Sequence, residues 1–257
     1  MKLIVLGSGS SVPHATRSSS AYWVETEGGS LLLDCSPSSI HRMAQEECDW
    51  ANLDAIWISH FHLDHCGGLA PFLFGTKYAP KTQDRTKPLR IFGPPGIKGL
   101  INSFDAANDY GLLEQPFLVE VIEIDPGRSF EILPGLKAST FSTPHTYESC
   151  AIRLDETNGG SMVFTADTGY STNLGVFARG VDLLLAECSF VKNKLVEKHL
   201  EVSDIAQIAR FARPKKIMLT HFYPEWDEVD FARSVEGITI FCDVVEAFDG
   251  LRLPIPE

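Results

Sequence analysis

His60-Phe61-His62-Leu63-Asp64-His65 places three histidines and one aspartate within six residues. The apolar run Ala55-Ile56-Trp57-Ile58-Ser59 before it predicts a buried strand, and Gly67-Gly68 after it lets the backbone turn closely into a helix. A lone histidine after a strand is normally a hydrogen-bonded surface residue; this density of ligand-type side chains reads instead as a metal site. In an extended segment alternate residues share a face, so His60, His62 and Asp64 project one way and His65 another. One cation then takes His60 and His62, and a second takes Asp64 and His65. Imidazole with carboxylate suits zinc, with iron or manganese as the other candidates. Such a site predicts a metal-dependent hydrolase.

Working outward, three more predicted strands run into ligand-type residues. Leu136 to Thr143 leads through Pro144 into His145, Ser161 to Ala166 into Asp167, and Lys216 to Thr220 into His221. Ligand sites in open α/β sheets gather at the carboxyl ends of strands. Singly, each of these residues reads as a loop-capping group; with the first cluster they supply its missing ligands. His14 and His41 stand alone in polar or mixed sequence and read as structural or solvent-facing. Asp34, between Leu31-Leu32-Leu33 and Cys35-Ser36-Pro37, either caps the next helix or orients a ligand imidazole.

The 257-residue chain can bury one substantial core, and without a linker or repeat it reads as one domain, 1–257. Predicted strands are 2–6, 20–25, 30–34, 54–59, 89–92, 118–124, 128–132, 136–142, 149–154, 161–166, 181–186, 215–220 and 237–241. Predicted helices are 37–46, 67–75, 95–107 and 202–212, the last capped at or near Ser203. Asp125-Pro126-Gly127 and Asn158-Gly159-Gly160 read as tight turns between neighbouring strands. Strands with interspersed helices in both halves favour an α/β sandwich over an all-β barrel.

The formal charge of −12 disfavours tight binding to a long polynucleotide, although a local basic patch made by the fold escapes this test. The densest basic run, Arg213-Pro214-Lys215-Lys216, reads as a solvated helix end. Six cysteines without C-x-x-C spacing read as reduced thiols of a cytoplasmic protein. No stretch reaches transmembrane length, and the amino-terminal apolar run is too short for a signal peptide.

The motif H-x-H-x-D-H followed by single His, Asp and His residues resembles the metallo-β-lactamase superfamily over nearly the whole chain. That resemblance implies a four-layered αβ/βα sandwich, with two divalent ions. The first ion would take His60, His62 and His145, the second Asp64, His65 and His221, and Asp167 would bridge them. Leu3-Ile4-Val5-Leu6-Gly7-Ser8-Gly9, Asp34-Cys35, Phe92-Gly93-Pro94-Pro95-Gly96, Ala186-Glu187-Cys188-Ser189-Phe190 and Leu219-Thr220-His221-Phe222 are similar to the tRNase Z and phosphodiesterase branch. There, the histidine at the His199 position donates a proton or stabilises the transition state, and Glu187 would position it. The bland alternative for His199 is an exposed residue in Lys198-His199-Leu200.

Bacterial tRNase Z enzymes insert a long tRNA-holding arm between the His145 and Asp167 positions, where this chain has only a hairpin-sized stretch. A small or cyclic phosphodiester is therefore the expected substrate, with Asp64 or Asp167 orienting the nucleophile. A tRNase Z-like endoribonuclease and a lactonase or thioesterase on the same site are the alternatives. A redox di-iron protein is disfavoured because His62 is retained, and a non-catalytic module because the ligand set is full. A homodimer is left open.

Overall fold

The computed structural model describes residues 1–157 and 159–256. The strands are β1 (Lys2–Gly7), β2 (Ala21–Thr26), β3 (Gly29–Leu33), β4 (Ala55–Trp57), β5 (Leu89–Gly93), β6 (Val119–Glu123), β7 (Ser129–Leu133), β8 (Leu136–Ser142), β9 (Cys150–Glu156), β10 (Ser161–Phe164), β11 (Leu183–Glu187), β12 (Lys216–Thr220), β13 (Asp243–Glu246) and β14 (Arg252–Pro254). The helices are α1 (Ser39–Gln45), α2 (Leu63–Cys66), α3 (Leu69–Tyr78), α4 (Ile97–Ala106), α5 (Thr172–Phe177), α6 (Val202–Ala212), α7 (Phe231–Ser234) and α8 (Glu236–Thr239). They build two seven-stranded sheets, β14-β1-β2-β3-β4-β5-β6 and β13-β12-β11-β10-β9-β8-β7. In each sheet a parallel block, β3 to β6 or β10 to β13, is extended by antiparallel strands.

Strand alternation makes the layers. In β1, Leu3 and Val5 face the second sheet, while Ile4 and Leu6 turn to the helices outside. Tyr22, Leu31, Leu33 and Trp57 join Leu136, Ile152, Leu154 and Phe164 in the core between the sheets. Trp23, Leu32 and Ile56 pack outward against Met43 of α1, Leu69, Phe72 and Leu73 of α3, and Ile97 and Ile101 of α4. Leu174, Ile205, Ile208 and Ala209 of α5 and α6 close the far face of the second sheet. The expected αβ/βα sandwich is the observed one.

Two details differ from expectation and two are sharpened. Asp125-Pro126-Gly127 joins β6 to β7, which are edges of different sheets, so this turn crosses between layers rather than closing a hairpin. The Asn158-Gly159-Gly160 turn lies between antiparallel neighbours β9 and β10, and its Asn158 falls outside the described residues. Residues 237–241 are not a strand: Ile238 is buried from the helical turn α8, while Ile240 and Phe241 are exposed. Helix α6 is capped by Glu201, whose side chain takes the Asp204 amide while Asp204 takes the Glu201 amide; Ser203 only hydrogen-bonds Glu201 Oε1 at 2.7 Å.

Among the described residues no helix is long and apolar enough to cross a membrane. All six thiols are free. Burial pushes those of Cys35, Cys66 and Cys150 up to about 12, which leaves them inert packing groups.

Candidate metal centre

Short strands buried on both faces end together at one rim of the sandwich. β4 is three buried residues, and Ser59 and His60 continue it without exposure. The extended backbone stops at His62, and Leu63 starts the single helical turn α2. Asp64 and His65 are thus consecutive on a helix rather than on opposite faces of a strand, and both reach the centre. Gly68 makes this possible, since a Cβ there would stand 2.2 Å from the Ser36 carbonyl oxygen. Across this close approach, Cys35 N–H donates to the His65 carbonyl and Gly68 N–H to the Cys35 carbonyl, both at 2.7 Å. At three other strand ends Asp34, Ala166 and His221 take left-handed backbone, with φ of 57°, 53° and 59°. Each such residue costs on the order of 1–3 kcal/mol, which the buried surroundings offset.

The fold brings His60, His62, His145 and Asp167 into one group and Asp64, His65, Asp167 and His221 into another, with ligand atoms of each group within 4.8 Å of one another. Asp167 belongs to both. Its Oδ1 lies 3.2 Å from His65 Nε2 and 3.3 Å from His221 Nε2, and its Oδ2 lies 3.6 Å from His145 Nε2 and 3.8 Å from His60 Nε2. Asp64 Oδ2 is 3.5 Å from His65 Nε2 and 3.4 Å from His221 Nε2.

The partners on the outer side of each ring assign its tautomer. Ser59 donates its amide and hydroxyl to the Asp34 carboxylate, both at 2.8 Å, so its oxygen is left to accept from His60 Nδ1 at 3.0 Å. His65 Nδ1 donates to Asp34 Oδ2 at 2.6 Å, and His145 Nδ1 to the Lys198 carbonyl at 2.9 Å. Ser189 donates to Glu187 Oε2 at 2.8 Å and accepts from His221 Nδ1 at 3.0 Å. In their neutral form all four rings therefore turn a bare Nε2 inward. His62 Nδ1 approaches His145 Nε2 to 3.0 Å.

Lone pairs crowded in this way need positive charge between them. Among the described residues, His60 Nε2, His65 Nε2 and Asp167 Oδ1 are buried without a hydrogen-bond partner, which is the condition a cation would relieve. The ionisation equilibria point the same way. Burial raises the cost of charge on Asp167, yet His221 and His65 hold its pKa well below the usual carboxylate range. Burial likewise opposes charge on Asp64, and His221 and His65 outweigh it. His60 is pushed well below its ordinary value by burial and then by His65. For His65 burial is outweighed by Asp167 and Asp34, and its pKa rises. The donor set, imidazole nitrogen and carboxylate oxygen without thiolate, fits a divalent metal.

Beside the cluster, His199 is buried rather than exposed, with Nδ1 2.9 Å from Glu187 Oε1 and 3.2 Å from Ser189 Oγ. Glu187 is itself fixed by the amides of Thr168, Ser189 and Leu200 at 2.9, 3.2 and 3.3 Å. Burial lowers the His199 pKa, but the Glu187 hydrogen bond and charge outweigh it and raise the value. The centre opens into a cleft of about 320 Å³ edged by Ser11, Thr146, Val196, Lys198 and Tyr223.

Asp34 orients His65 and leaves α1 uncapped by its side chain, which decides between its two sequence readings. His14 pairs with Asp227, and His41 is exposed, so neither joins the centre. Sequence reasoning missed Ser59 and Ser189, the hydroxyls that set the His60 and His221 tautomers. Their positions, Ser59 next to His60 and Ser189 two residues after Glu187, are the one signal that could have found them.

Paired mixed sheets with helices outside and a His/Asp cluster at their common rim define a metallo-β-lactamase-fold protein. YhfI from Bacillus subtilis shares this fold with TM-score 0.81 and 22% identity over 98% of each chain. The short form of human tRNase Z does so with TM-score 0.80 and 21% identity over 100% of each chain. By sequence the chain belongs to the family described as Anti-Pycsar protein Apyc1, matched over residues 1–244. Ribonuclease Z of Bacillus subtilis (strain 168) is a curated relative, 24% identical over 313 aligned positions covering 100% of both chains.

Proposed function

We propose that the chain is a phosphodiesterase carrying two divalent ions, zinc foremost, and acting on a small or cyclic phosphodiester. One observation carries the reading: Asp167 aims one oxygen at each half of the ligand cluster. His60, His62 and His145 would hold one ion, Asp64, His65 and His221 the other, and Asp167 both. Ions so held supply Lewis acidity towards phosphate oxygens and an acidified water at neutral pH. Asp64, which lines the cleft, would orient the attacking water. His199, whose pKa the Glu187 hydrogen bond and charge raise against burial, donates to the departing alkoxide or holds its developing charge.

A cleft of about 320 Å³ suits a mononucleotide-sized ligand, and the net charge of −12 disfavours a long polyanion. The alignment with Bacillus subtilis ribonuclease Z runs over 313 positions against 257 residues here, so that relative carries segments this chain lacks. On kinship alone, however, an endoribonuclease is the better supported substrate reading, because relatives matched over their whole length bear the name ribonuclease Z. That makes cleavage of an RNA diester the second reading, and it weighs against the expectation that binding to a long polynucleotide is disfavoured.

Assays of metal-loaded protein on 3′,5′-cyclic nucleotides, bis(p-nitrophenyl) phosphate and a precursor tRNA separate the two. Turnover of cyclic nucleotides above that of precursor tRNA supports the small diester. Cleavage of precursor tRNA alone transfers the site to the second reading, and turnover of no diester removes both.

A further inference from the structure

Away from the metal centre, α5 and α6 form a hollow of about 700 Å³ lined by Tyr170, Arg179, Gln207, Arg210, Phe211 and Arg213. The three arginines are exposed, and among the described residues none makes a side-chain hydrogen bond or ion pair. The nearby carboxylates are already taken, Asp155 by Arg153 at 2.9 Å and Asp182 by Lys215 at 2.6 Å. Three unpaired guanidinium groups around one concavity are unexpected in a chain of net charge −12. Favourable placement of cations at helix C-termini explains one arginine per helix end; it does not explain a shared hollow without an anion.

Backbone contacts hold the two sides of the hollow together. Gly180 N–H donates to the Ala212 carbonyl at 2.7 Å, which ties the segment after Arg179 to the end of α6 beside Arg213. A Cβ on Gly175 would meet Phe211 Cβ at 2.8 Å, so α5 and α6 are in close contact beneath it. Arg213 is held at φ 45°, a left-handed conformation that costs a non-glycine residue energy.

This hollow also leads to the metal centre. Tyr170 lines a second hollow of about 460 Å³ with His145, Thr146 and Lys198. The same His145, Thr146 and Lys198 line the metal cleft. Lys194 in that passage pairs with Asp204 at 2.9 Å and Glu197 at 3.6 Å, which leaves one carboxylate in excess there, whereas the ammonium of Lys198 has no partner among the described residues. The arginine hollow thus borders a second hollow at Tyr170, and that one borders the metal cleft at His145, Thr146 and Lys198, with the unpaired cations at its two ends and Tyr170 and Phe211 among the lining residues. Cations for phosphates and aromatic faces for bases are what a single strand needs.

We infer that the Arg179/Arg210/Arg213 hollow binds the flanking phosphates of a short single-stranded oligonucleotide whose end lies in the metal cleft. The inference rests on the phosphodiesterase reading and extends its substrates from a lone diester to a strand. It is also the local basic patch that net charge could not reveal.

Equilibrium binding of a fluorescein-labelled twelve-nucleotide single-stranded RNA tests it, with the wild-type chain and the Arg179→Ala/Arg210→Ala/Arg213→Gly variant compared across salt concentrations. Glycine at 213 relieves the left-handed backbone, so the variant retains its fold. Loss of three phosphate contacts should lower affinity at least tenfold at low salt and reduce the slope of log K against log salt by about 2. Hydrolysis of bis(p-nitrophenyl) phosphate should not change. Equal affinity and slope in the two proteins, no RNA binding by the wild type, or equally tight binding of poly-glutamate would each overturn the inference. Failure of the wild type to hydrolyse bis(p-nitrophenyl) phosphate would instead count against the phosphodiesterase reading, and the binding comparison would still decide the arginine site.

Discussion

Asp34 Oδ2 stands 2.6 Å from His65 Nδ1, and the same carboxylate takes the amide and hydroxyl of Ser59. One buried residue from the end of β3 thus sets the tautomers of two inward-facing rings, His65 directly and His60 through Ser59. Asp34→Asn keeps the volume but presents an amide N–H towards His65 or Ser59. We expect metal affinity to fall about 10–100-fold, as for other carboxylates that orient ligand histidines. Competition with a chromophoric chelator measures this, and undiminished affinity would remove the role of Asp34.

His199→Ala should leave metal content intact and slow turnover by about 10²–10⁴-fold, whereas Glu187→Gln should slow turnover by a smaller factor and also weaken metal binding, because Glu187 holds the Ser189 hydroxyl against His221. The leaving group provides the diagnostic. A p-nitrophenolate departs without an acid, so bis(p-nitrophenyl) phosphate should suffer least and an alkyl or ribose diester most. Equal losses on both substrates would show that His199 is not the proton donor.

The raised His199 pKa fixes the sign of a pH effect. A folded-state value above the ordinary one of about 6.5 keeps the ring charged to higher pH. Its contribution to alkyl-diester turnover is therefore complete at low pH and lost as pH rises through the folded value. Any stability from the Glu187 pair is likewise full below about 6.5 and lost across that upper window. In Glu187→Gln the alkaline limb of the rate profile should move to lower pH. A limb that stays put or moves upward contradicts the pairing.

Glu201→Ala removes the capping box of α6 and should cost about 1 kcal/mol. Ser203→Ala should cost only a few tenths, because its hydroxyl serves Glu201 and not the helix amides. Urea denaturation of both variants checks the order. A larger loss at Ser203 would move the cap to Ser203.

What the sequence exposed and what it hid follow from range. The His60–His65 motif is legible because four ligand-type residues next to a buried run have no cheaper explanation, and single residues at the ends of β10 and β12 gain meaning beside it. The tautomer-setting contacts were hidden: Asp34 meets Ser59 and His65 from another strand, and Ser189 meets His221 across β11 and β12. Gly237-Ile238-Thr239-Ile240-Phe241 has strand composition, but the fold gives Ile238 a buried place on a helical turn and leaves Ile240 outside. β13, with only Val244 and Val245 as apolar signal, exists because it pairs in parallel with β12. The arginine hollow was hidden for the same reason, since Arg179 comes from the segment after α5 and Arg210 from α6.

The central claim is that this cluster works as a two-ion phosphodiesterase site bridged by Asp167. Titrating metal-stripped protein with Zn²⁺ or Mn²⁺ while following bis(p-nitrophenyl) phosphate hydrolysis tests it most directly. Activity should rise to a plateau at two equivalents per chain in the wild type and be absent at every loading in Asp167→Ala. A plateau at one equivalent, activity that survives chelation, or full activity in Asp167→Ala would contradict the account.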